Sequence, residues 1–214
     1  MVPLSLEVFL GTLEDFNRTI RPMQALAAVF GLMALWVVLK PQQLSGRLLG
    51  LVLASSWAST GLFYHLGVFA ELNFWDYPIG ILFLLQALCL FFIGAIMNWI
   101  AAAPSQSTSY RAGLVLGFHA LAGAPLIGLV SGRSWAEVGY FASSPGPTIL
   151  FTTALLLMVS GRGLTMLWPA SLIAALLVTI FGLSLGMYED AAVFPLVVAA
   201  LLIQLRGRTQ PSTG

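Results

Sequence analysis

Long apolar runs recur from one end of this chain to the other, each broken by a short stretch of charged, glycine or proline residues. A helix that crosses a bilayer needs about 20 apolar residues, because the hydrocarbon core is about 30 Å thick and each helical residue rises about 1.5 Å. Seven runs are candidates: 22–39, 48–69, 78–102, 112–130, 147–160, 164–185 and 191–205. The breaks between them, such as Lys40-Pro41-Gln42-Gln43, Asn73-Phe74-Trp75-Asp76, Pro104-Ser105-Gln106-Ser107 and Gly161-Arg162-Gly163, hold turn formers and charges that resist burial. Only 8% of the residues are charged and 59% are hydrophobic. Soluble domains carry about 25% charged residues, so lipid is the expected solvent. The fold class expected is all-α, a polytopic bundle of seven transmembrane helices.

The charges then sort by loop. One set of connections holds Lys40, Arg47, Arg111, Arg162, Arg206 and Arg208 and no acid. The other set, with the N-terminal segment, holds all eight acids and only Arg18, Arg21 and Arg133. Basic loops stay in the cytoplasm. Seven spans satisfy this alternation throughout and predict an N-terminus outside, a C-terminus inside and a place in the bacterial plasma membrane. Residues 3–21 read as an amphipathic helix on the outer surface, with Leu6, Phe9, Leu10, Leu13, Phe16 and Ile20 at helical spacing against Glu7, Glu14 and Arg18. Residues 1–21 are thus an outer segment, 22–205 the membrane domain and 206–214 a cytoplasmic tail, disordered from Thr209.

Several functions fall away. A net charge of +1 gives no electrostatic case for nucleic acid, and a lone Cys89 excludes an intrachain disulfide. The first residues lack a basic n-region and a cleavage site, so the N-terminus reads as mature rather than as a signal peptide. The sole lysine, Lys40, lies in a loop, which excludes a retinal Schiff base in the last span. No P-loop, H-E-x-x-H or Cys/His cluster is present. No internal repeat supports an inverted-repeat transporter. Ser143, His65 and Asp76 make a triad only on paper, without a nucleophile elbow. No catalytic residue is assigned, and metal and cofactor stay unknown.

What remains points to the outer mouth. Pro22, Pro78, Pro147 and Pro195 each stand near the outer start of an odd-numbered span, where a proline costs nothing. Asp76, Ser144 and Asp190 occupy N-cap positions. The fifth span is short, so Ser143-Ser144-Pro145-Gly146 is expected as non-helical backbone below the outer surface, against protein or a water-filled cavity. The set describes either a cavity for a polar or anionic ligand or ordinary caps and ordinary mismatch. In the second span Trp57, Gly61, Tyr64, His65 and Val68 share one helical face. His65, roughly 27 Å above Arg47 by helical rise, can titrate, hold a metal or donate to a carbonyl; alternatively it is a hydrogen-bonded interfacial residue in an aromatic belt. In the fourth span Gly113, Gly117, Ala120 and Ala124 form a small-residue stripe that reads as close packing, with His119 bonded across it.

The motifs Phe16-Asn17 with Ile20, Pro22 and Gln24, then Trp57…Gly61…Tyr64-His65…Phe69, Asn73, Phe83-Leu84-Leu85-Gln86 and Pro145-Gly146-Pro147-Thr148…Phe151-Thr152 resemble an uncharacterised bacterial family. It is a domain of unknown function in small multi-pass membrane proteins, some with transporter- or permease-like names. Members often show Pro-Cys-Pro-Thr-Thr in the fifth segment. Here Gly146 replaces the cysteine and Ile149 the second threonine, so thiol chemistry implied by that pattern does not carry over. The matching positions cluster at the outer mouth. The candidate ligand-binding set is therefore Asn17, Gln24, Trp57, Tyr64, His65, Asn73, Thr148 and Thr152. Two functions stay open: a small transporter, permease-like protein or sensor of a polar or anionic solute, and a non-catalytic membrane subunit or scaffold packed against its own copy or a partner.

Overall fold

A computed structural model describes residues 5–103 and 107–209. The described chain is all-α apart from one two-residue antiparallel pairing, Ala101 with Ser160 and Ala102 with Val159. Seven helical stretches follow one another. They are α1 (Leu6–Leu39), α2 (45–72), α3 (Asp76–Ile96), α4 (Thr108–Val130), α5 (Pro145–Met158), α6 (Leu164–Leu185) and α7 (Val193–Thr209). A single turn, Tyr188–Ala191, precedes α7. Five helical segments are long and apolar enough to cross a membrane: α1, α3, α4, α6 and Tyr188–Gly207. The break at Pro104-Ser105-Gln106 and the tail beyond Thr209 lie outside the described residues.

The chain sorts into two ends. At one, Phe9 meets Phe69 and Phe181, Phe16 meets Tyr64, and Arg133 pairs with Glu189; this is the acidic end. At the other, Tyr110 donates to the carbonyl of Val38, Gln204 to that of Leu156 and Ser109 to that of Leu157; this is the basic end.

α5 forms the centre. All 14 of its residues are buried, so no face of it is exposed. Ser144, extended at φ −136° and ψ 148°, stops it at one end. At the other, Val159 and Ser160 leave the helix and pair with Ala101 and Ala102. This short pairing gives the backbone that leaves α5 its hydrogen-bond partners. Close approach of the neighbours needs glycine. A Cβ on Gly113 of α4 would stand 2.7 Å from the carbonyl of Ala154 in α5. A Cβ on Gly50 of α2 would stand 2.5 Å from the backbone nitrogen of Ala95 in α3. The small-residue stripe of α4 thus packs inside the chain. Among the described residues His119 does not bond across it: its ring lies along its own helix, over Gly123.

α1 departs from the expected division at residue 21. It runs unbroken through Pro22, which lies inside the helix rather than at its start. The proline removes one backbone hydrogen bond, yet both flanks are held. Phe9, Leu13 and Phe16 dock against Tyr64, Phe69 and Met187, while Gly31, Ala34, Leu35 and Val38 are buried further along. The amphipathic segment is therefore the first part of α1, packed on the bundle. Pro78, Pro147 and Pro195 do fall in the first turns of α3, α5 and α7. Asp76 is not an N-cap but the first residue of α3, and Asp190 lies within the turn before α7.

Candidate functional site

Polar side chains buried in the acidic half of the bundle fall into three linked groups. The first hangs from α1. Asn17 donates to the carbonyls of Ala136 (2.8 Å) and Val138 (2.9 Å), and Gln24 donates to Asn17 Oδ1 (2.6 Å) and Ser143 Oγ (3.2 Å). These bonds clamp the 131–144 connection to α1. Within that connection the backbone N–H of Ser134 donates to the Glu137 carboxylate at 2.7 Å, which holds the Glu137 carboxyl below its usual range. The Tyr140 hydroxyl donates to the Trp135 carbonyl at 2.6 Å, and burial pushes the phenol's pKa up.

The second group joins α2 to α5. Trp57 Nε1 donates to Thr152 Oγ1 at 2.7 Å. Thr148 Oγ1 accepts from the backbone N–H of Ala142 at 3.0 Å, donates to the Ser144 carbonyl at 2.7 Å, and lies 3.2 Å from Thr60 Oγ1. Ala142 has φ +64°, a left-handed conformation rare for a residue with a Cβ. The Thr148 hydroxyl holds it there, and so turns the chain into α5.

The third group lies where α2 widens. Like Phe91–Ile96 in α3 and His119–Gly123 in α4, residues Thr60–Phe69 form a π-helix. Within it His65 Nδ1 sits 2.6 Å from Asp76 Oδ1. Asn73 Nδ2 donates to Asp76 Oδ2 at 3.0 Å, and Asn73 Oδ1 accepts from the N–H of Trp75 at 3.2 Å. Glycines allow the approach: a Cβ on Gly80 would lie 3.1 Å from His65 Cβ. The imidazole packs against Phe83 and Tyr64, with ring centroids 4.8 and 4.9 Å away. Phe83 in turn lies against Trp57 at 4.4 Å, which joins this group to the second. The pair is 3% and 7% exposed, and His65 Nε2 has no hydrogen-bond partner among the described residues. A carboxylate on one ring nitrogen orients the imidazole and leaves the other nitrogen to bind or exchange a proton.

All eight candidate residues therefore gather in this half of the bundle. Six of them bond one another or the backbone around the site, and His65 bonds the Asp76 carboxylate. Tyr64 instead stacks on Phe69 at 4.2 Å and borders a cavity of about 20 Å³ with Ser144, Pro147, Glu189 and Asp190, room for one water. Gln24 also borders a larger cavity of about 500 Å³ between α1 and α2. The triad of Ser143, His65 and Asp76 is not formed: Ser143 Oγ pairs with Gln24 and with the Tyr140 carbonyl. The sequence reading missed the Arg133–Glu189 ion pair, half of which stays unbonded at Arg133 Nη1 and Glu189 Oε2. Two opposite charges flanking one mouth were its signal. Phe83, part of the Phe83-Leu84-Leu85-Gln86 motif, carries no polar mark and so stands outside the candidate set. Gln86 Nε2 ties α3 to α6 through the Leu167 carbonyl at 2.8 Å.

These features define a helical bundle, compatible with a membrane, that carries a buried polar site in one half. The chain belongs to the family of unknown function DUF6064, which it matches over residues 6–213. Neither the curated proteins nor the solved structures contain a match.

Proposed function

We propose that this chain spans the bacterial plasma membrane seven times, with its N-terminus outside and its C-terminus in the cytoplasm, and binds a small polar or anionic solute in its outer half as a transporter or solute sensor. The segregation of acids and bases to opposite ends supports the orientation. α2 is counted as a span because it runs helically for 45–72 and buries Ser56, Thr60 and His65.

One observation carries the functional reading: the unpaired Nε2 of a buried histidine whose other nitrogen is held by a carboxylate. An unsatisfied buried polar atom costs about 1–3 kcal/mol, and ionisable groups inside spans mark solute or ion pathways by default. Phe83 packs between that group and Trp57, whose indole is held by Thr152. The scaffold alternative relied on the glycine stripe of α4, and that stripe lies against Ala154, Met158 and Leu35 of the same chain.

Native mass spectrometry of gently extracted protein tests the proposal. The expected result is a small polar solute retained by the wild type and lost from His65→Ala, with the variant still folded. Wild type and variant both empty, or equally loaded, overturn it.

A further inference from the structure

α1 touches the bundle at both ends and stands away between them. Phe9, Leu13, Phe16 and Asn17 are buried near its start, and Gly31, Ala34, Leu35 and Val38 near its end. From Arg18 to Phe30 no residue is buried. Pro22 lies in this stretch. The space left between α1 and α2 is the cavity of about 500 Å³, within the range of about 300–1,000 Å³ that holds a single small ligand. Its lining runs along α1 from Ile20 to Val37, about 25 Å by helical rise. That is nearly the height of a hydrocarbon core of about 30 Å, so the space is long and narrow.

The polarity of the wall is graded. The contacts of Phe9 with Phe69 and of Phe16 with Tyr64 set α1 and α2 antiparallel, in a register that brings Gln24 level with Ser55 and Ser56. These residues, with Ser59 and Ser143, are the polar part of the lining. Toward the basic end the wall is Met33, Val37, Leu48 and Val52, and no charged residue among those described lines any part of it. Serines in apolar helices return their hydroxyls to their own backbone, as Ser56 does to the Leu53 carbonyl and Thr60 to that of Ser56. The Ser55 and Ser59 hydroxyls make no hydrogen bond among the described residues, and Gln24 uses only its Nε2. Two hydroxyls and one amide carbonyl thus stand unused on one stretch of wall.

We propose that this cavity binds a single-chain amphiphile of the surrounding bilayer with an uncharged, hydrogen-bonding head. The chain lies between α1 and α2, and the head bonds Ser55, Ser59 and the Gln24 carbonyl. His65 does not line this cavity, which borders the candidate solute residues only at Gln24, and the proposal does not depend on the solute reading.

The test uses the full chain in phosphatidylcholine vesicles doped with a monoacylglycerol whose chain carries a diazirine. Phosphatidylcholine bearing the same diazirine serves as the comparison. Photolabelling by the monoacylglycerol is expected on peptides covering 23–30 and 48–63, competed by unlabelled monoacylglycerol. Ser55→Ala with Ser59→Ala lowers that labelling by about tenfold, as two lost hydrogen bonds imply, and Ala27→Trp abolishes it by filling the cavity. His65→Ala leaves it unchanged, which separates this site from the solute site. Equal labelling by both probes, equal labelling of the exposed Ile180 and Leu183 on α6, or no effect of the double serine variant means annular lipid only and overturns the proposal.

Discussion

α1 and α5 are both apolar helices, yet they have opposite surroundings. α1 has 34 residues, of which eight are buried; α5 has 14, and all are buried. In water such a difference would be written in the pattern of polar and apolar residues. In a membrane it is not, because lipid tails are as apolar as a leucine core. What distinguishes the two helices is where polar groups are left. Thr148, Thr152 and Thr153 of α5 are 0% exposed, with partners on α2 and on the entering loop for the first two. α1 keeps its polar anchors, Asn17 and Gln24, to one short stretch facing the bundle. Length also tells them apart: a helix of 14 residues spans about 21 Å, too short for lipid contact along a whole core of about 30 Å.

The same substitution on the two helices gives the largest expected contrast. Phe151→Ala removes a fully buried ring packed on Phe141 at 4.4 Å and costs about 3–5 kcal/mol. Phe30→Ala, 44% exposed on α1, costs less than about 1 kcal/mol. Thermal unfolding in detergent measures both, and equal losses would break the contrast.

Thr148→Val keeps the shape of α5 and removes the acceptor for the Ala142 N–H, an expected loss of about 1–3 kcal/mol. Faster amide exchange at Ala142 than in the wild type identifies that cause. Gly11 on α1 has an ordinary helical φ, and nothing among the described residues stands within 4 Å of where a Cβ would sit. Gly11→Ala is therefore expected to stabilise by about 0.5–1 kcal/mol, and a loss instead would mean that this face is covered. Glu137 gives the smallest effect. Its carboxyl is held low by the Ser134 N–H, so its contribution is present above the unfolded carboxyl's titration and fades as pH falls through the folded one. Glu137→Gln flattens that part of the acid limb in a pH series of melting temperatures.

Much of this was legible in the residues. α6 has the bounds expected of the sixth span, because Gly161-Arg162-Gly163 and Gly186 punctuate it on either side. The short α5 and the non-helical Ser143-Ser144 before it follow from counting apolar residues. Pro145 and Gly146, expected as non-helical too, instead form the first turn of α5, because a proline at the first helical position gives up no hydrogen bond. Trp57, Thr148 and Thr152 meet because each is a polar group within an apolar run and so needs a partner inside the protein. Other features left no local mark. Pro22 reads as a helix start, and only the docking of Phe9, Leu13 and Phe16 carries α1 through it. His119 reads as reaching across to another helix, but its ring lies along α4. The π-helical turn at His65 changes which residues face Asp76 without altering hydropathy. The lateral cavity depends on where α1 leaves the bundle, which no residue type encodes.

Footprinting of the wild-type protein in bilayers with a lipid-partitioned diazirine tests the central claim most directly. The account predicts carbene insertion along α1 at Met23, Leu26, Met33 and Trp36, all exposed, and none across Pro145–Met158. Labelling within α5, recurring every three or four residues as on a lipid-facing helix, would contradict it.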